Sequence, residues 1–259
     1  SGSSFEALEE FRTKNPGWIT GFLTYDLKNE IEKLESNNPD HLQFPDLYFF
    51  TPEHLLIIKD SQLEIISEDP EQLLDGINNQ NIPKGRISHP VALNSRFNKQ
   101  EYIDTVIKIK EHISRGDIYV TNFCQEFFAE NAVIDPLQVF IKLNQISPNP
   151  FAALFKARDK YILSASPERF LAKRDNKLIS QPIKGTSKTY NDPHLDKLSK
   201  ERLKGHPKEL QENVMIVDLV RNDLTKSAKA GTVAAEELFG IYSFRQVHQM
   251  ISTVICELR

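Results

Sequence analysis

Residues 151–183 have the sequence FAALFKARDKYILSASPERFLAKRDNKLISQPI, and they are the strongest indication of the fold class. Three runs within it are rich in β-branched and aromatic residues, which favour extended backbone. They predict strands at residues 151–156, 161–164 and 170–183, the last of which turns back at Asp175 and Asn176. Short consecutive strands joined by turn residues predict antiparallel pairing rather than alternating strand–helix units.

Helical patterns flank this block of strands. Asn98, with Glu101 three residues later, predicts a capped helix over residues 99–115 that ends at Gly116. The other predicted helices are 5–14, 26–34, 136–145 and 194–224, the last broken near 205–207. The other predicted strands are 18–25, a meander of 47–50, 55–59 and 63–66, and then 118–129, 232–244 and 247–256. The polar residues 68–100 are expected to cross the surface between two layers. The predicted fold class is α+β, with large, mostly antiparallel sheets packed with helices on the outside.

Composition excludes several classes of protein. Of the 259 residues, 39% are hydrophobic and 26% are charged, as is usual for a globular protein. The formal net charge of −4 disfavours a dedicated nucleic-acid binder. No apolar run reaches the roughly 18–20 residues that a membrane span needs. The two cysteines form no CxxC pair, which favours a cytoplasmic location.

Both ends of the sequence suggest truncation. Residues 1–4, with the sequence SGSS, are expected to be a cloning remnant, and the chain stops directly after the apolar residues 250–255. We therefore expect residues 5–259 to form a single domain fragment that is incomplete at its carboxyl end. Within it, residues 5–97 are the amino-terminal part and residues 98–259 the catalytic core.

The first candidate site is the sequence QPIKGT at residues 181–186. A predicted strand ends at Ile183, and Gly185 permits a turn and a close approach of ligand to main chain. The amides of Gly185 and Thr186 could then face an anion, with Lys184 beside it. A lysine acts as a nucleophile when desolvation or a nearby cation lowers its pKa. The alternative is an exposed lysine in a tight turn.

Two further side chains could transfer or hold a proton. Glu168 follows Pro167 at a predicted bend, where apolar neighbours could make its carboxyl a general acid. The alternative is an ion pair with Arg169 or a nearby lysine. His248 lies on an apolar predicted strand, where it could polarise a substrate or hold a leaving oxygen. The alternative, which is the default for such a position, is a hydrogen-bonded core histidine.

Glu209 and Glu212 are spaced three residues apart on a predicted helix, so both project from one face. Carboxylate oxygens are the ligands that Mg²⁺ prefers, often one or two of them together with oxygens of the substrate. The alternative is an amphipathic helix with a solvated acidic face.

Six stretches in this order resemble those of the chorismate-utilising enzymes, which include anthranilate, isochorismate, salicylate and aminodeoxychorismate synthases. They are GDIYVTN at 116–122, SPNPF at 147–151, SPERF at 166–170, PIKGT at 182–186, ENVMIVDLVRNDL at 212–224 and VHQMIST at 247–253. The resemblance covers about residues 99–256. Residues 18–34 are also similar to the amino-terminal part of aminodeoxychorismate synthases. The implied fold is that of anthranilate synthase component I.

Position 184 distinguishes branches of that family. Anthranilate, isochorismate and salicylate synthases typically carry alanine there, whereas aminodeoxychorismate synthases carry lysine. The resemblance therefore implies component I of an aminodeoxychorismate synthase, which makes 4-amino-4-deoxychorismate from chorismate and ammonia for 4-aminobenzoate and folate synthesis. The alternatives are another chemistry of the same family, or a non-catalytic fragment.

The resemblance also implies roles for the candidate residues. Lys184 would add to C2 of chorismate and expel the C4 hydroxyl, and ammonia would then displace the lysine. Glu168 would protonate the departing C4 hydroxyl or accept a proton from the incoming amine. His248 would lie close to the ring of chorismate. Gly185 and Thr186 would hold a substrate oxygen.

The same resemblance implies a cofactor and further ligands. Mg²⁺ would bind Glu212, with Glu209 as a ligand or close neighbour. Pro150 and Phe151 match a region that contacts tryptophan in relatives. A glutamine amidotransferase subunit would supply ammonia. The Gly-Ala-Pro-Lys motif and second acidic metal ligand of relatives are expected beyond Arg259, so we expect this polypeptide to hold half an active site.

Overall fold

The computed structural model describes residues 3–81 and 90–259. The chain divides into two compact units, Ser1–Lys84 and Gly85–Arg259. None of the helices in the described residues is both long enough and apolar enough to cross a membrane.

The described residues of the first unit form two antiparallel strand pairs, two α-helices and a 3₁₀ helix. Its elements are α1 (Ser4–Lys14), β1 (Thr20–Leu23), a 3₁₀ helix (Tyr25–Glu30), β2 (Leu47–Phe50), β3 (Leu55–Lys59), β4 (Gln62–Ile66) and α2 (Pro70–Asn78). β2 pairs with β1, and β3 pairs with β4, so the predicted three-stranded meander is wrong. The prediction for residues 68–100 overlooked α2, which begins with an Asp69 cap and Pro70, a common helix start. Residues 82–89 of that segment lie outside the described residues.

The second unit holds every candidate site residue. Its elements are β5 (Asn94–Ser95), α3 (Lys99–Arg115), β6 (Phe127–Phe128), α4 (Pro136–Ile146), β7 (Phe151–Ala157), β8 (Lys160–Ser166), β9 (Arg169–Arg174), β10 (Lys177–Gln181), β11 (Ile183–Lys188), α5 (Pro193–Lys204), α6 (Pro207–Thr225), β12 (Ala234–Ser243) and β13 (Val247–Glu257). The predicted capping box of α3 is confirmed, because Asn98 and Glu101 exchange side-chain-to-backbone bonds. Gly116 ends that helix in a left-handed conformation, as predicted.

The predicted strand at residues 118–129 is wrong over most of its length. Within that range only Phe127–Phe128 form a strand, and it pairs with the two-residue β5. β-Branched and aromatic residues favour extended backbone, but a strand also needs a partner along its length. The rest of this segment has no paired neighbour among the described strands.

β13 is the centre of the five-stranded antiparallel sheet. β12 pairs with one edge of it, while β11 and β10 follow one another along the other edge, and β9 pairs with β10. The predicted strand at 170–183 therefore contains both β9 and β10. Pro182 separates β10 from β11, because proline has no N–H to donate to the ladder, and its carbonyl instead accepts from the Ser252 N–H at 3.2 Å.

The core lies between β13 and the helices α5 and α6. Alternate residues of β13 are almost completely buried on one face, namely His248, Met250, Ser252, Val254 and Cys256. Val217 and Leu224 of α6 pack against Val254 and Cys256. This packing holds α6 beside β11.

Candidate functional site

Lys184 and Gly185 form a bulge in β11 rather than a turn at its end. Ile183 is opposite Ile251 and Thr186 is opposite Gln249, so two residues of β11 face the single residue Met250. Gly185 has a φ of +101°, which few residues other than glycine adopt. The expectation that the strand ends at Ile183 is therefore wrong, since the ladder resumes at Thr186. Bulges often redirect a side chain beside an active site.

The Lys184 side chain is half-buried and its amine lies near an irregular segment. Its Nζ donates to Oδ1 of Asn122 across 3.5 Å, at the outer limit of a hydrogen bond. Asn122 belongs to the stretch 116–122, another of the six stretches that carry the family resemblance. The tertiary structure thus brings together two of the six motifs.

Glu168 lies between β8 and β9 and is tied to the same bulge. Its Oε1 accepts a hydrogen bond from the Ile183 N–H at 3.1 Å. The Glu168 N–H donates to Oγ of Ser166 at 3.2 Å, which fixes the bend after Pro167. No ion pair of Glu168 occurs in residues 3–81 and 90–259, so the ion pair with Arg169 is absent there. The Glu168 side chain is exposed and could exchange protons with a ligand or solvent.

Glu209 packs directly over Gly185. A Cβ placed on Gly185 would lie 3.3 Å from the Cβ of Glu209 and 3.4 Å from its Oε2. Within the described part of the chain the Glu209 carboxylate makes no hydrogen bond or ion pair. Glu212, on the next turn of α6, forms an ion pair with Lys208 at 3.3 Å.

These two carboxylates fit a hard cation only as a partial ligand set. Both are half-buried on the first turns of α6, and Glu209 has no hydrogen-bond or ion-pair partner among the residues that the structure describes. Mg²⁺ needs no more than one or two protein carboxylates when water and substrate supply the other oxygens. No group of three or more His, Cys, Asp or Glu side chains that could hold a metal occurs in the described residues.

His248 is buried and bonded through both ring nitrogens. Nε2 lies 2.9 Å from Oδ1 of Asp196 on α5, and Nδ1 lies 2.9 Å from Oγ of Ser243. Asp196 also accepts from the Tyr190 N–H and from Lys200. The Tyr190 bond, then those from Lys200 and His248, lower the pKa of Asp196 from 3.8 to about 2. The structure thus places His248 in a core network, where neither nitrogen is free to bond a ligand.

The remaining candidates are Thr186, which follows the bulge, and Pro150 and Phe151 at the start of β7. The Thr186 hydroxyl donates to Oε1 of Gln249 at 3.1 Å. Phe151 begins β7 opposite Ser166, and the Arg169 guanidinium lies 4.8 Å from its ring centre. Pro150 is exposed immediately before it.

Sequence analysis did not assign a role to Asn213. Its side chain is 1% exposed and bonds to the carbonyls of Lys184 and Met250 at 3.2 and 3.4 Å. The signal was available, because Asn213, Val217 and Leu224 recur at helical spacing on the buried face of α6. A polar residue on an apolar face needs internal partners.

Comparison with known proteins identifies the family. The family model described as chorismate binding enzyme matches residues 3–259, so the chain belongs to the chorismate-binding enzyme family. This confirms the resemblance found in the six motifs.

Individual relatives agree with this assignment. Aminodeoxychorismate synthase component 1 of Klebsiella aerogenes is 32% identical over 246 residues, which are 93% of this chain and 54% of that protein. Anthranilate synthase component 1 of Thermus thermophilus is 28% identical over 256 residues, which are 92% of this chain and 54% of that protein. The chain therefore spans about half the length of the curated relatives it matches.

A solved structure supports the fold. Anthranilate synthase component I from Streptococcus pneumoniae superposes with a TM-score of 0.81 at 22% identity, covering 94% of this chain and 57% of that one. The predicted α+β class with antiparallel sheets and the anthranilate synthase component I-like fold are thereby confirmed.

Proposed function

We propose that this chain carries the lysine-bearing part of an aminodeoxychorismate synthase component I, which converts chorismate and ammonia to 4-amino-4-deoxychorismate. The observation that carries the proposal is the bulge of β11 at Lys184. The residue before it, Ile183, donates its N–H to the general-acid candidate Glu168, and the residue after it, Gly185, packs against Glu209, whose carboxylate makes no hydrogen bond or ion pair within the described residues. The relatives named aminodeoxychorismate synthase component 1, at 32% identity, support it.

The chemistry assigns Lys184 the role of covalent nucleophile. Its neutral amine adds to C2 of the ring, the two ring double bonds shift, and the C4–oxygen bond breaks. Ammonia then adds to C4, the double bonds shift back, and the C2–nitrogen bond breaks to release the lysine amine. Two displacements replace one difficult displacement, which is the usual gain of covalent catalysis.

Glu168 supplies and removes protons in this scheme. As a carboxylic acid it donates a proton to the departing C4 hydroxyl, which leaves as water. As a carboxylate it then accepts a proton from the incoming ammonium nitrogen. Its hydrogen bond from the Ile183 N–H holds it one residue from Lys184.

Glu212 and Glu209 would hold Mg²⁺, which when bound neutralises the ring carboxylate of chorismate. Thr186 and the Gly185 backbone would hold a substrate oxygen, and His248 would support the strand from within the core through its bond to Asp196. A glutamine amidotransferase subunit would supply ammonia. Binding of tryptophan near Pro150 and Phe151 stays a prediction.

Analysis of the reaction products of the full-length protein tests the proposal. Incubation with chorismate, Mg²⁺ and ammonium salt is expected to yield 4-amino-4-deoxychorismate, identified by mass and absorbance. Lys184→Ala should abolish amination, whereas Lys188→Ala, which removes an exposed lysine from the same strand, should retain it. Anthranilate or isochorismate as the product would overturn the assignment, and similar matches to anthranilate synthases make anthranilate the specific alternative.

A further inference from the structure

Asn213 fills a gap in hydrogen bonding that the bulge creates. A bulge leaves its extra residue without a regular ladder partner. The Asn213 Nδ2 group donates to the Lys184 carbonyl at 3.2 Å and to the carbonyl of Met250, the residue opposite the bulge, at 3.4 Å. One side-chain amide from α6 therefore joins both strands at the point where the ladder is irregular.

Ser252 sets the direction of this amide. Its hydroxyl donates to Oδ1 of Asn213 at 2.6 Å and accepts from the Phe239 N–H at 3.1 Å. Because Oδ1 is the acceptor of this bond, Nδ2 is turned toward the two carbonyls. Ser252 is 0% exposed, so no water competes for these bonds.

The amide belongs to the same helix as the acidic candidates. Glu209 precedes Asn213 by four residues, which places both on one face of α6, and Glu212 is its immediate neighbour. Glu209 itself packs on Gly185. A fixed distance between Asn213 and the Lys184 carbonyl thus also fixes the acidic turn of α6 relative to the lysine.

We propose that Asn213 is a positioning residue, which holds the Lys184 main chain and thereby sets the amine of Lys184 relative to Glu168 and Glu209. This inference rests on the proposed function for its kinetic consequences, but the placement of the amine can be measured without turnover.

The test combines the kinetics of amination with chemical labelling of Lys184, both measured on the full-length protein. Asn213→Ala and Asn213→Asp both remove the donor, and the second keeps the shape of the side chain. Each should lower kcat for amination about tenfold or more with little change in the KM for chorismate, because a displacement of about 1 Å can cost about 100-fold in rate. Labelling of Lys184 by trinitrobenzenesulfonate, measured by peptide mass relative to exposed Lys173, should increase as the amine is released.

Ser199→Ala is the matched control. The Ser199 hydroxyl bonds α5 to the Lys188 carbonyl of the same strand at 2.7 Å, four residues beyond Lys184. It should lower stability without altering kcat or the relative labelling of Lys184. Ser252→Ala removes only the hydroxyl that orients the Asn213 amide, so it should lower kcat and increase the labelling of Lys184 by less than the Asn213 variants do. It provides the test if the Asn213 variants fail to fold.

The outcomes separate this inference from the proposed function. If the Asn213 and Ser252 variants lose stability as Ser199→Ala does, with an unchanged Lys184 to Lys173 labelling ratio, Asn213 is only structural and the inference fails. If wild-type protein does not aminate chorismate but the labelling ratio changes as expected, the proposed function fails while the positioning role stands.

Discussion

The side chain of Glu209 lies against the backbone of Gly185, close enough that a Cβ on residue 185 would come within 3.3 Å of the Glu209 Cβ. This contact lets the first turns of α6 approach the bulge of β11. Glycine meets both requirements of the position, a φ of +101° and the absence of a side chain. The closeness of Lys184 to the acidic turn therefore depends on Gly185.

Replacement of Gly185 by alanine should destabilise the protein by about 1–3 kcal/mol, since the backbone conformation is strained for other residues. The new Cβ would also lie 3.2 Å from the Cβ of Met250. Urea unfolding would measure the loss. Gly116→Ala is the control, because Gly116 has a φ of +81° but nothing within 4 Å of a Cβ. Equal losses for both variants would refute the role of the contact.

Met250 should be the most sensitive apolar position near the site. Its side chain is 0% exposed opposite the bulge, so Met250→Ala should cost about 2–5 kcal/mol through lost contacts and a cavity. Leu219→Ala on the exposed face of α6, where the side chain is 55% exposed, should cost less than about 0.5 kcal/mol. Urea midpoints would compare the two variants, provided that the dependence of the unfolding free energy on urea is unchanged. Similar losses of stability would contradict the burial of Met250.

Asp196 should contribute stability that disappears in acid. Its pKa is lowered from 3.8 to about 2 by bonds from the Tyr190 N–H, Lys200 and His248. The folded state therefore favours the charged carboxylate more than the unfolded state does. The contribution of Asp196 to the free energy of unfolding is complete above pH 3.8 and is lost as the pH falls toward about 2. Asp196→Asn should be less stable than wild type near neutrality, and the difference should narrow over that range. A difference that stays constant down to pH 2 would be inconsistent with the lowered pKa.

Glu209 and Glu212 should determine the dependence on magnesium. Conversion of either to glutamine should raise the Mg²⁺ concentration for half-maximal amination by about tenfold or more, because a hard cation loses an anionic ligand. Glu201→Gln, on the exposed face of α5, should leave it unchanged. Magnesium titrations of the three variants would compare them, and an effect of Glu201→Gln equal to the others would point to a general charge effect.

Local structure was predictable where a short-range rule decided it. The caps of α3 at Asn98 and Gly116 followed from side-chain acceptors and a left-handed glycine, both of which act within one turn of helix. The strand predicted at residues 118–129 was wrong because most of this segment has no partner strand among the described residues, and whether a partner is available depends on the tertiary fold. The meander was wrong for the same reason, since β2 pairs with the distant β1 rather than with β3.

Residue type and spacing along the chain were enough to predict the bounds and caps of α3 and the family, because these features depend on short-range rules and on motifs that can be read without the fold. Three relationships became visible only in the folded chain: Lys184 lies in a bulge, Asn213 donates to the Lys184 carbonyl, and His248 is buried in a hydrogen bond with Asp196. These relationships join residues 29 and 52 positions apart. They arise because α5 and α6 bury their apolar faces on β13. This packing brings Asp196 of α5 to His248 and Asn213 of α6 to Lys184, and neither contact can be predicted from the spacing of residues along the chain.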